Sequence, residues 1–80
     1  MTDAEILSVI EDVARDHDLW VGNLSRDLRL VEDLELDSLK ALTLAVEVEN
    51  RFRVCLDPEL EATIVTVGDL VDMVRRELAN

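Results

Sequence analysis

The side chains best equipped for covalent or acid–base chemistry in this 80-residue chain are the one histidine, His17, the one cysteine, Cys55, and Ser38, which stands between Asp37 and Leu39. Nucleophilic catalysis at Ser38 would need a base beside it. His17 is the only histidine and no Gly-x-Ser-x-Gly elbow is present, so the sequence offers no such pair. Cys55 has no second cysteine to pair with, and a lone cysteine is more often a small apolar side chain than a reactive thiol. Ser38 suits a different chemistry. It opens a helical run, where its hydroxyl is exposed and a phosphate ester would lie beside free backbone N–H groups and the positive end of the helix dipole. Asp-Ser-Leu taken alone also fits an ordinary helix-start serine. The neighbouring carboxylates Glu32, Asp33, Glu35 and Asp37 lack the spacing and the glycine of an EF-hand loop, which leaves weak, nonspecific cation binding and no metal site.

The elements that must position Ser38 follow from periodicity and caps. Thr2 and Glu5 stand in a capping-box relation, and Ile6, Ile10 and Val13 recur at helical spacing, which predicts a helix over residues 3–16. Leu7, Val9 and Ala14 broaden its apolar face, with Glu11, Asp12 and Arg15 on the water side. Residues 17–37 show neither helical nor strand period, yet Leu19, Trp20, Leu24, Leu28, Leu30, Leu34 and Leu36 are spaced along them as anchors. An ordered loop is expected, with a short helical turn near residues 26–30. Asp37 is a good N-cap for a helix over 38–52. Asp57-Pro58 suggests a short helix through 62, and Thr66 with Asp69 caps a last helix carrying Val67, Leu70, Val71, Val74 and Leu78. The expected fold is all-α: a small four-helix bundle of three long helices and one short, forming one domain over residues 1–80.

Composition narrows the function. Lys and Arg number 8 against 19 Asp and Glu, a net charge of −11 that disfavours nucleic acid and anionic membrane as partners and favours a monomer. Residues 1–38 hold 11 acidic and 3 basic side chains and residues 39–80 hold 8 and 5, so the field is strongest around the loop leading to Ser38. No leader-like or membrane-spanning run is present, and a cytoplasmic protein is expected. A core of this size supplies only about 3–5 kcal/mol of net stability, which leaves little room for an enzymatic cavity. A free-standing enzyme is therefore not expected.

At about 100° per residue, the helix over 38–52 places Ala41, Leu44, Ala45, Val48 and Phe52 on one side. Leu39, Leu42 and Val46 form a second apolar group, while Lys40, Glu47 and Arg51 share the far face. The second group either packs under the loop and short helix or docks a partner.

The run from Leu30 to Leu39, centred on Asp37-Ser38-Leu39, resembles the attachment-site signature of the acyl carrier protein family. Asp33-Leu34 before it, Phe52 fourteen residues after the serine, and Thr66-Val67 opening the last helix extend the resemblance over nearly the whole chain. It implies a four-helix fold in which Ser38 receives 4'-phosphopantetheine from coenzyme A through a phosphopantetheinyl transferase, with Asp37 and Leu39 recognised beside it. The arm carries acyl groups as thioesters between enzymes of fatty-acid, lipid or polyketide-like biosynthesis. Asp37 is read mainly as a cap, although its oxygens also suit the transferase's Mg²⁺.

Two departures bear on the partner. Glu35 stands where many members have glycine, which implies an ordinary backbone conformation there. In fatty-acid-synthesis members the helix after the serine is rich in acidic residues, whereas here Lys40, Thr43 and Asn50 replace three of them and Glu49 is the best retained. Partner docking is therefore assigned to Leu39, Lys40, Leu42, Thr43, Val46, Glu49 and Asn50, and a specialised carrier is expected, loaded by an adenylating ligase or serving a polyketide-like or lipid-modifying pathway. Amino-acid cargo is a lesser alternative, since the Gly-Gly-x-Ser pattern is absent. The competing class is an unmodified helical adaptor. Val48, Phe52, Ile64 and Leu70 are candidates to line a cargo cavity, with core packing as the alternative.

Overall fold

The computed structural model describes residues 2–56 and 63–79. Among them are three helices, α1 (Asp3–Asp16), α2 (Ser38–Phe52) and α3 (Val67–Ala79), and no strand. The short helix expected over 57–62 lies outside the described residues.

Each helix begins on the side chain that its sequence offers. Thr2 Oγ1 accepts the Glu5 amide at 3.2 Å while Glu5 Oε1 accepts the Thr2 amide at 3.0 Å, so two donors that the first turn leaves open are satisfied reciprocally. At α3, Asp69 Oδ2 accepts the amides of Val65 and Thr66 at 3.0 and 3.1 Å, and Thr66 Oγ1 accepts from Asp69 at 3.1 Å. These donors hold the Asp69 carboxyl below the usual aspartate range. α2 ends on Arg53 in the left-handed region (φ 58°), whose N–H donates to the Glu49 carbonyl.

Each helix then turns its apolar stripe inward. Ile6, Ile10, Val13 and Ala14 of α1 meet Leu44 and Val48 of α2 and Val67, Leu70, Val71 and Val74 of α3 in one core. No polar or charged side chain is buried among the described residues. Leu24, Leu30, Leu34 and Leu36 of the long loop enter the same core, with Leu19, Trp20 and Leu28 partly buried against it. The loop is thus anchored as its leucines suggest. This burial offsets the entropy of ordering so much irregular chain.

The loop's backbone is also held from outside. Leu19 and Trp20 N–H groups donate to the Ala14 carbonyl, closing the end of α1. The Leu24 N–H donates to Glu11 Oε2 at 2.6 Å, so Glu11, expected on the water side, is half-buried and pins the loop. The helical turn expected near 26–30 is only partly formed. A turn closes at 26–27, and the chain then extends because the start of α3 supplies partners: Arg29 and Thr66 form an isolated antiparallel bridge, with Leu30 N–H on the Val65 carbonyl (3.0 Å) and Val67 N–H on the Leu28 carbonyl (2.9 Å). Gly68 N–H reaches the Arg26 carbonyl at 3.0 Å. Beside this seam Arg26 holds both oxygens of Asp72 at 2.8 and 2.9 Å, and Arg75 bonds Asp3 at 2.7 Å, tying loop, α1 and α3 together.

The C-terminal end of α1 abuts the second half of α2. His17 Nε2 lies 3.3 Å from Glu47 Oε2, and Arg51 Nη2 lies 3.4 Å from Asp16 Oδ2. Glu47 and Arg51, expected on the far face, therefore turn toward α1, because its C-terminal turn presents charged and polar partners there.

Candidate functional site

The loop delivers Ser38 in four steps. Asp33 Oδ2 accepts the Arg29 amide at 2.7 Å, and Asp33 and Leu34 return their N–H groups to the Arg29 carbonyl, which closes a tight turn. Leu34 and Leu36 are buried on either side of Glu35. Between them Glu35 takes φ +58°, the left-handed region. The ordinary conformation expected at this residue is thus not what the chain adopts: between the two buried leucines the backbone lies where glycine sits at no steric cost. Asp37 then returns to extended backbone (φ −78°, ψ 178°) and caps α2, its Oδ1 accepting the Lys40 amide at 2.8 Å and its carbonyl accepting from Ala41 at 2.9 Å.

Ser38 is the first helical residue and is exposed. The buried Leu36 two residues earlier fixes where the helix starts, so the hydroxyl is held at the surface by the core beneath it. First-turn N–H groups have no intrahelical partner, and no acidic residue occupies the first turn of α2. A phosphate ester on Ser38 therefore meets the positive end of the dipole and the first-turn amides other than that of Lys40, which Asp37 takes. This donor set fits a phosphodiester. It offers no general base.

The acidic residues before Ser38 have separate tasks. Glu32 pairs with Arg29, Asp33 closes its turn and Asp37 caps α2, leaving Glu35 exposed. No group of three or more His, Cys, Asp or Glu able to hold a metal occurs among the described residues.

The second apolar group of α2 lies outside the core. Leu39, Leu42 and Val46 are 71%, 53% and 41% exposed, Lys40 and Asn50 are exposed, and Thr43 and Glu49 are half-buried. Thr43 Oγ1 donates to the Leu39 carbonyl at 2.9 Å, which satisfies its hydroxyl within the helix. The residues named for docking thus share one helix with Ser38. Of those named for a cargo cavity, Val48 and Leu70 are core residues, Phe52 packs against that core, and Ile64 lines an open cleft of about 240 Å³ with Thr63, Asp69, Asp72, Met73 and Arg76. Trp20 anchors its loop, the indole N–H donating to the Asn23 carbonyl at 3.4 Å, and Cys55 is exposed.

The sequence reading missed the pairing of residues 28–30 with 65–67, the Glu11–Leu24 bond and the Arg26–Asp72 pair. Only the last pairs opposite charges, and many other pairings were equally open to them.

Residues 4–74 match the family model described as a phosphopantetheine attachment site. The acyl carrier protein of Rickettsia bellii is 33% identical over 67 residues, 84% of this chain and 83% of that protein. Acyl carrier protein 2 of Ralstonia nicotianae is 30% identical over 80 residues, 99% of each chain. Acyl carrier protein MbtL of Mycolicibacterium paratuberculosis is 37% identical over 67 residues, 84% of this chain and 72% of that one.

Proposed function

The chain belongs to the phosphopantetheine attachment-site family, whose cofactor is covalent 4'-phosphopantetheine, and from that premise we propose that it is an acyl carrier protein modified at Ser38. The observation that carries this reading is the exposed Ser38 at the start of α2, where Asp37 caps the Lys40 amide and no acidic residue stands in the first turn. A phosphopantetheinyl transferase joins Ser38 Oγ to the phosphorus of the arm and releases the nucleotide half of coenzyme A. The arm's terminal thiol then carries acyl groups as thioesters.

The chain's own residues position and present. Asp37 holds the helix start on which Ser38 sits, and the α2 amides favour the phosphate's negative charge. Asp37 and Leu39, on either side of the serine, are the residues that the transferase recognises. Leu39, Lys40, Leu42, Thr43, Val46, Glu49 and Asn50 form the docking face for acyl-processing enzymes, an adenylating ligase among them. The chain acts as one carrier domain over residues 1–80 and catalyses no step itself.

The pathway reading is a specialised lipid or polyketide-like one in the cytoplasm. Its support is the sequence of α2, in which Glu47 and Glu49 are balanced by Lys40 and Arg51, and the likeness to MbtL among the carriers matched. Among the described residues no helix is long and apolar enough to cross a membrane.

The test is transfer of a fluorescent coenzyme A analogue by a broad-specificity transferase to the wild type, Ser25→Ala and Ser38→Ala. Label on the first two and none on the third supports the reading. Label retained by Ser38→Ala, or none on any while a control carrier is labelled, contradicts it.

A further inference from the structure

The loop that carries Ser38 is tied to the start of α3 by peptide units bonded at both ends. Asp69 Oδ2 accepts the Val65 and Thr66 amides at 3.0 and 3.1 Å. The Val65 carbonyl, in the same peptide unit as the Thr66 N–H, accepts from Leu30 at 3.0 Å. The unit joining Arg29 and Leu30 is held likewise: its N–H is that same Leu30 donor, and its carbonyl accepts from Asp33 and Leu34 at 2.9 and 3.1 Å. The Leu30 carbonyl then accepts the Leu36 N–H at 3.0 Å. Leu36 is buried two residues before Ser38, and Asp37 between them caps α2.

A planar peptide unit held at both its N–H and its carbonyl has little freedom to tilt, and contiguous bonded groups of this kind carry coupling between distant positions. One carboxylate on α3 is thereby joined to the residue that anchors the start of α2. The same two amides hold that carboxyl below the usual aspartate range, so at neutral pH it accepts as an anion, the stronger kind of hydrogen bond. From this chain of bonds we propose that Asp69 is a positioning residue for modification of Ser38, acting through Leu30 and Leu36 rather than on the serine itself. Transfer needs Ser38 Oγ aligned with the phosphorus it attacks, and a displacement of about 1 Å from such geometry can cost about 100-fold in rate. The surface of α2 is untouched by loss of Asp69, so the defect falls on kcat and not on KM. The proposal rests on the carrier reading, since the attachment reaction is what requires the serine to be fixed.

The experiment compares the wild type with Asp69→Ala, Asp69→Asn and Thr2→Ala, each shown folded by circular dichroism, with sucrose added to all four if Asp69→Ala needs it. Thr2→Ala removes a cap of similar worth from α1 and leaves the chain of bonds intact. Two quantities are read: amide hydrogen exchange at Leu30 and Leu36, and kcat and KM for transfer of the arm by a broad-specificity transferase. Asp69→Ala is expected to speed exchange at both amides about five- to tenfold beyond Thr2→Ala and to lower kcat about three- to tenfold, with KM within about twofold. Asp69→Asn, whose Oδ1 still accepts both amides, restores both quantities to within about twofold of the wild type. If either quantity for Asp69→Ala matches that for Thr2→Ala, the proposal is overturned; a rise in KM alone overturns it too, by making Asp69 a contact of the transferase. A wild type that takes no arm while a control carrier does is failure of the carrier reading and takes the proposal with it. Exchange, which needs no transferase, tells the two failures apart.

Discussion

The carboxylate of Asp37 accepts the backbone N–H of Lys40 at 2.8 Å, and the first residue of the helix that this cap starts is Ser38. The same aspartate that marks the attachment motif thus fixes the backbone on which the serine is displayed. Removing the cap costs about 1 kcal/mol in comparable helices. Asp37→Ala is expected to lose that much in urea denaturation, while Asp37→Ser, which still caps, stays within a few tenths. If modification by the transferase falls in both, Asp37 has a recognition role beyond the cap.

Glu35 offers a test of strain beside the site. A side chain at φ +58° costs about 1–2 kcal/mol relative to the right-handed region, against which glycine brings extra unfolded-state entropy of about 0.4–1 kcal/mol. Glu35→Gly is therefore expected to be neutral or up to about 1.6 kcal/mol more stable, and Glu35→Val clearly less stable. Thermal melts of the two decide it; a stabilising valine would contradict the left-handed backbone.

Gly68 is constrained by space rather than by dihedral angle. A Cβ there would stand 3.0 Å from the Arg26 carbonyl oxygen and 3.1 Å from Arg26 Cβ, at the seam between loop and α3. Alanine would gain about 1 kcal/mol of helix propensity in an open helix, but overpacking against fixed backbone costs about 1–3 kcal/mol. Gly68→Ala is expected to lower the melting temperature, and a rise would show that the seam is loose.

Asp69 sets an acid dependence. The Val65 and Thr66 amides, followed by the Thr66 side chain, favour its charged form, so its folded pKa is lowered. A depressed carboxylate contributes stability that is fully present above its unfolded pKa and is lost as pH falls through the folded one. The stability difference between wild type and Asp69→Ala should therefore be largest at neutral pH and shrink below about pH 4. Urea midpoints across that range check it, and a gap that widens in acid would contradict the assignment.

The sequence was most legible where structure is local. Thr2 with Glu5, Thr66 with Asp69, and Asp37 each announce a helix start within four residues, and all three caps form. The leucines between 17 and 37 announced an ordered loop because an anchor needs only a buried face, not a particular neighbour. Three features depend on distant parts of the chain and carried no such signal. Glu11 meets Leu24 thirteen residues on, Arg26 meets Asp72 forty-six residues on, and residues 28–30 pair with 65–67 by backbone groups that any sequence possesses. Glu35 was misread because a left-handed dihedral is not a preference of glutamate, so its residue type carried no sign of the backbone it adopts. Ser38 was legible as a motif, and its exposure followed from standing first in a capped helix.

The central claim is that Ser38 bears the arm, and intact mass after incubation with coenzyme A, magnesium and a broad-specificity phosphopantetheinyl transferase tests it most directly. The account predicts one added phosphopantetheine on the wild type and none on Ser38→Ala. Addition to Ser38→Ala, or no addition to the wild type while a control carrier is fully converted, would contradict it.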